Sequence, residues 1–171
     1  MRRYIGTKIV HATSMTRGEY NKYRGWELPA NEDPADDGYL VEYEDGGKPN
    51  DARHTGYISW SPADVFERSY RPTQGMTFGQ AIEALKAGKH VARKGWNGKS
   101  MYLWLKPAAV VKSDWCHDPL LKRLADDNGG ELLALGTICM RTHDGTGRRA
   151  VLTGWLASQS DMLLEDWEIL E

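Results

Sequence analysis

The stretch Gly154-Trp155-Leu156-Ala157-Ser158-Gln159-Ser160-Asp161-Met162-Leu163-Leu164-Glu165-Asp166-Trp167-Glu168-Ile169 decides how the rest of the chain is read. Two tryptophans bracket a polar cluster too short for a linker and too polar for a core. Ser158 or Ser160 caps a short helix there, with Asp161 in the first turn, where the helix dipole favours a carboxylate. Met162, Leu163 and Trp167 then fall at helical spacing, which predicts that they pack inward. Trp155, Ser158, Gln159 and Asp161 remain as an aromatic face beside hydrogen-bonding groups, the chemistry of a pocket for a polar, ring-bearing small molecule. A capped final helix around a buried Trp accounts for the same residues without a ligand.

Upstream, Met76 opens a segment with the character of a second domain. Thr77-Phe78-Gly79-Gln80 is a capping box, and Phe78, Ala81, Ile82 and Leu85 form one apolar helical face that Gly88 terminates. His90–Lys94 and Ser100–Leu105 read as strands joined by Gly95-Trp96-Asn97-Gly98-Lys99, whose Asn-Gly is a hairpin signal. Asp118-Pro119 caps a helix with Leu120, Leu121 and Leu124 expected inward and Gly129-Gly130 closing it. Residues 137–142 and 149–153 form a second hairpin. In the N-terminal part, Lys8–Ala12 reads as a strand and Thr16-Arg17-Gly18-Glu19 as another capping box, with the helix stopping near Gly25. Gly38–Tyr43 and Gly56–Trp60 are strands. Ser61-Pro62 supplies a cap and a first-position proline for a helix expected to bury Val65 and Phe66. Residues 1–72 and 76–171 are thus two small domains joined by a linker at 73–75. The expected class is α+β, each domain a short antiparallel sheet with one or two helices.

Composition narrows the function. Net charge is −2 and neither half carries a basic stripe, which disfavours DNA or RNA as a partner. No apolar run is long enough to cross a bilayer, and nothing after Arg2-Arg3 resembles a signal peptide. Two cysteines fit a reduced cytoplasm. Seven tryptophans against two phenylalanines is the unusual figure, because Trp combines a large flat face with one N–H donor.

No nucleophile elbow, Walker loop or metalloprotease motif occurs, so no catalytic residue is assigned. Asp161, Glu165 and Asp166 suit acid–base work and equally suit a helix first turn. Cys116-His117 and Cys139 with His143 lack the paired spacing of a metal site, so neither metal nor cofactor is expected. Trp96 at a hairpin tip either covers the sheet or presents a face to a ligand. The turn amides, with Arg93, Lys94 and Lys99 near them, suit an anion. Arg148-Arg149 suits a phosphate or is a solvated pair.

Three of these stretches, Met76–Ala81, Arg93–Lys99 and Trp155–Trp167, resemble in order the second type of phage Thoeris anti-defence protein, a signal-sequestering sponge family. The resemblance covers Met76 to Glu171. It implies a non-catalytic homotetramer in the host bacterial cytoplasm that holds glycocyclic ADP-ribose made by TIR-domain enzymes, and in some members cyclic dinucleotides at a separate site. Carried over, it assigns ligand binding to Phe78, Arg93, Trp96, Asn97, Gly98, Trp155, Ser158, Gln159 and Asp161. The aromatics would sandwich adenine, Asn97, Ser158, Gln159 and Asp161 would read ribose hydroxyls, and Arg93 or the turn amides would face the pyrophosphate. Lys106–Leu135 is long and departs from the simplest family pattern, and residues 1–72 lie outside the match. The alternative is a Trp-rich protein–protein interaction module.

Overall fold

The computed structural model describes residues 2–3, 6–96 and 100–170. The chain divides into two compact units, Met1–Arg71 and Pro72–Glu171. Their sheets are antiparallel and accompanied by short helices, which is the α+β class expected.

The first unit contains β1 (Val10–Ser14), α1 (Arg17–Arg24), β2 (Gly38–Tyr43), β3 (Tyr57–Pro62) and α2 (Ala63–Ser69), with the strands in the order β1-β2-β3. The first capping box forms as its sequence dictates. The Thr16 hydroxyl accepts from the Glu19 N–H at 3.2 Å, and the Glu19 carboxylate accepts from the Thr16 N–H at 2.8 Å. Gly25 ends the helix at φ 68°, in the left-handed region where a Cβ is strained. Tyr20, Leu40 and Ile58 make the small core, with Trp60 against them. Gly38 is required there, since a Cβ would lie 2.3 Å from the Trp60 ring. The loop before β3 is pinned by a relay in which Tyr23 Oη and His54 Nε2 lie 2.8 Å apart and His54 Nδ1 and Glu42 Oε2 2.7 Å apart.

Two expectations fail in this unit. Pro62 itself occupies the cap of α2 with no side-chain hydrogen bond, and the helix buries no residue. Val65 is exposed, and Phe66 stacks on Tyr39 and Tyr70 at ring distances of 4.3 and 4.8 Å. Seven residues give too little apolar surface to form a core of their own.

The second unit contains β4 (Gln74–Met76), α3 (Phe78–Lys86), β5 (His90–Arg93), β6 (Tyr102–Lys106), β7 (Ala109–Lys112), a 3₁₀ turn, α4 (Pro119–Asp127), β8 (Glu131–Ala134), β9 (Thr137–His143), β10 (Arg149–Thr153), α5 (Gln159–Leu163) and β11 (Trp167–Leu170). Six strands form one sheet in the order β10-β9-β6-β5-β11-β4, and β7 and β8 form a separate hairpin. The second capping box, Thr77 with Gln80, starts α3. Ala81, Ala84 and Leu85 of that helix pack with Val91, Leu103, Met140 and Trp167 of the sheet.

The last stretch folds differently from its helical spacing. The helix is only five residues, Leu163 is 75% exposed, and Trp167 is a fully buried residue of β11, between β5 and β4. Gln74, read as linker, pairs with that strand through Glu168↔Gln74, and Gly75 falls at the irregularity between that pair and Trp167↔Met76. Leu120, Leu121 and Leu124 are exposed rather than inward, and Ala125 alone of α4 is buried. No helix among the described residues is long and apolar enough to cross a membrane.

Candidate functional site

Asp161 is the side chain from which the site is built. As third residue of α5 it closes the cap, its Oδ2 accepting from the Ser158 N–H at 2.9 Å and the Ser158 hydroxyl at 2.7 Å. Its Oδ1 accepts from Arg93 Nη1 at 2.7 Å and from the Trp96 indole N–H at 3.3 Å. Its backbone carbonyl accepts from the Trp167 indole N–H at 2.8 Å. One residue of a short helix therefore fixes two indoles and a guanidinium from β5. Burial pushes the Asp161 carboxyl up, but the donors from Ser158, Arg93 and Trp96 outweigh it and hold the group at about 2.

Arg93 completes the frame. Its Nε and Nη2 grip Asp166 in a fork at 2.7 and 3.0 Å while Nη1 holds Asp161. The Asp166 bonds, foremost, and the Asp161 bond raise its pKa further above the usual arginine value against the opposing effect of burial. The same carboxylate accepts the Gly95 N–H at 3.2 Å, where a Cβ on Gly95 would lie 2.9 Å from Asp166 Oδ2. Planar bidentate pairing of this kind is the strongest ion-pair geometry available to a protein.

Around this frame four rings converge. Trp96, Trp155 and Phe78 lie 5.5, 6.1 and 5.6 Å from the buried Trp167 ring. Phe78 and Trp96 lie 6.5 and 6.2 Å from Trp155. Phe78, Trp96 and Trp155 are each half-buried, so one side of the cluster meets the core and the other meets solvent.

The structure thus brings together Phe78, Arg93, Trp96, Trp155, Ser158 and Asp161, with exposed Gln159 next to Ser158 at the helix start. Asn97 and Gly98 lie outside the described residues. Arg93 and Asp161 are buried and bonded to one another. A base held face to face between two rings needs them parallel and about 7 Å apart, twice the carbon–carbon contact distance. The planes of Trp155 against Phe78 and Trp96 are inclined by 58° and 66°, so neither of these two pairs forms a parallel slot.

A second place on this unit contains Arg149, which the sequence offered for a phosphate, beside residues the sequence reading did not single out. Tyr102, Trp104, Arg141, Arg149 and Val151 line a cavity of about 220 Å³ across β6, β9 and β10. Tyr102 opposes Arg141 and Arg141 opposes Val151 in the ladder, which brings these side chains to one face. The i, i+2 spacing of Tyr102 and Trp104 was the available signal, but register between distant strands is not written in either strand alone. Among the described residues no three His, Cys, Asp or Glu side chains gather as a metal site.

Comparison with known proteins agrees with the placement of these motifs. A family model for the Thoeris anti-defense 2-like (Tad2-like) domain matches residues 76–170. Thoeris anti-defense 2 of Bacillus phage SP01 is 33% identical over 102 residues, an alignment that covers 56% of this chain and 94% of that protein. The matched segment takes in the Arg93–Asp161–Asp166 frame and all four rings, and the chain belongs to the Thoeris anti-defense 2-like family of anti-defence proteins.

Proposed function

We propose that the chain is a phage anti-defence protein that sequesters a nucleotide immune signal, glycocyclic ADP-ribose, without degrading it. The observation that carries this reading is the convergence of Phe78, Trp96 and Trp155, three half-buried rings packed around Trp167, with Trp96 bonded to the internal ion-pair frame, within the family-matched segment. Adenine stacks on one exposed ring face. The opposing wall comes from another copy of the chain in a homotetramer, since neither tilted pair, Trp155 with Phe78 or with Trp96, leaves a parallel slot. Gln159 and Ser158 border the rings and read ribose hydroxyls. Lys94, exposed on the Trp96 turn and without an ion-pair partner among the described residues, supplies the cation that Arg93 does not.

The magnitudes are adequate. A dissociation constant of 1 μM needs about −8.2 kcal/mol. Stacking contributes about 1–3 kcal/mol per base, and hydrogen bonds to charged groups about 1.5–3 kcal/mol each. A rigid frame lowers the ordering cost that would otherwise offset them. The cavity at Tyr102, Trp104, Arg141 and Arg149 favours a second ligand in the same protein, a cyclic dinucleotide of CBASS immunity, because it joins aromatic faces to two guanidiniums.

Calorimetric titration with glycocyclic ADP-ribose, followed by heat denaturation and chromatography of the released ligand, tests the proposal. Saturable heat and intact ligand are expected. Absence of heat, or recovery of a cleaved product, overturns it. If Trp96→Ala and Trp155→Ala change the mass of the oligomer and leave affinity unaltered, the rings serve protein contacts instead.

A further inference from the structure

The first unit holds a cavity of about 510 Å³ that the anti-defence reading leaves unused. That volume lies within the range of about 300–1,000 Å³ typical of ligand sites. Trp26, Ser59 and Trp60 contribute to it. Tyr20, Trp26, Tyr57 and Trp60 supply aromatic walls, and Glu27 and Glu32 supply carboxylates against the single guanidinium of Arg17.

The cavity already displays the chemistry it accepts. The Arg17 guanidinium lies 4.2 Å from the centre of the Trp60 ring and 3.2 Å from the Glu32 carboxylate. Arg24 lies over Trp26 at 4.5 Å. A cation above an indole beside a carboxylate is thus the local pattern, and the attraction is electrostatic, between the charge and the ring face. Glu27 is exposed and has no ion-pair partner among the described residues, while Trp26 and Tyr57 are 54% and 43% exposed. A further organic cation is attracted by these groups.

A second observation concerns the backbone beside the cavity. β3 is the edge of its sheet, so alternate N–H and C=O groups point away from β2. At Ile58 the Asn50 side chain closes that edge, donating to the Ile58 carbonyl at 2.9 Å and accepting its N–H at 2.8 Å. Two residues on, the Trp60 N–H and C=O face the same way and have no hydrogen-bond partner among the described residues. Asn50 imitates a strand at one position and leaves the next open.

We propose that the first unit binds an extended segment of a partner protein, which adds to the β3 edge at Trp60 and places an Arg or Lys side chain in the cavity. Strand addition supplies main-chain bonds, and the cavity supplies the preference for a basic residue. The reading is independent of nucleotide binding by the second unit.

The test uses the full chain, ¹⁵N-labelled, titrated with the blocked peptide Ala-Val-Arg-Val-Ala and followed by NMR. Saturable shifts are expected at the Trp26 and Trp60 indole N–H groups and at the Trp60 backbone amide. The same peptide with citrulline for arginine, and the Glu27→Gln protein with the arginine peptide, are each expected to bind about tenfold more weakly, as loss of a charge-assisted contact requires. Glu27 makes no side-chain contact that the fold depends on, and circular dichroism checks that the variant is folded. Equal binding of the arginine and citrulline peptides, or no saturable shift at Trp26 and Trp60, overturns the proposal. Arginine methyl ester binding as tightly as the peptide overturns the strand-addition half and assigns the cavity to small free cations.

Discussion

The two units use tryptophan and charge in opposite ways. In the first, guanidiniums lie over aromatic rings near the surface, as Arg17 over Trp60 and Arg53 over Tyr23 do. In the second, the charges lie further in: Arg93 and Asp161 are buried, Asp166 is partly exposed, and the half-buried Trp96 and the fully buried Trp167 donate their N–H groups to Asp161. An exposed cation–ring contact contributes about 0.5–1 kcal/mol and tolerates loss. A buried charge stripped of its partner does not. The first unit is therefore expected to degrade gradually under substitution, and the second to fail at a single position.

The largest effect should come from Asp161→Ala. It removes the Asp161 half of the α5 capping box, the acceptor of the Trp96 indole N–H and one carboxylate partner of Arg93, and breaking a buried pair typically costs about 3–5 kcal/mol. Urea denaturation followed by tryptophan emission should show the second unit unfolding early with the first unchanged. Equal sensitivity of both units would break the contrast.

Acid should act on both units, by the same sign. Glu42 is held at about 2 against an ordinary 4.5, chiefly by its hydrogen bond with His54 and also by the Gly56 N–H, with burial opposing. Asp161 is held at about 2 against 3.8. Both folded-state values are depressed, so their contributions are complete above the unfolded values and disappear as pH falls from about 4.5 towards 2. Melting temperature against pH measures this. A melting temperature that stays flat between pH 5 and pH 2, all else equal, contradicts the assigned partners.

The capping boxes sharpen the comparison, because there the units are alike. Thr16→Ala and Thr77→Ala should each cost about 1 kcal/mol in the unit that contains them, read from denaturant midpoints. Smallest of all is Lys86→Ala, which removes the exposed 2.7 Å pair with Glu83 and should change stability by less than about 0.5 kcal/mol.

Sequence reading succeeded where the physics is local. Thr16, Thr77, Asp118 and Ser158 each sit three or fewer residues from the groups they cap, and all four caps form. It went astray where partners are distant. Arg93 and Asp166 are 73 positions apart, and nothing near either residue announces their pairing. Trp167 fits a helical stripe on spacing alone; the strand places for it on either side are made by β4 and β5. The three α4 leucines follow a core pattern yet remain exposed, because a helix face is buried only where another element covers it.

The central claim is that the ring cluster of the second unit, and not the aromatic cavity of the first, holds the nucleotide signal. Calorimetric titration of glycocyclic ADP-ribose into the unaltered chain, Trp155→Ala and Trp26→Ala tests it most directly. Affinity should fall at least about tenfold in Trp155→Ala, as loss of a stacking contact implies, and remain unchanged in Trp26→Ala. Binding that survives in Trp155→Ala and is lost in Trp26→Ala would contradict the account.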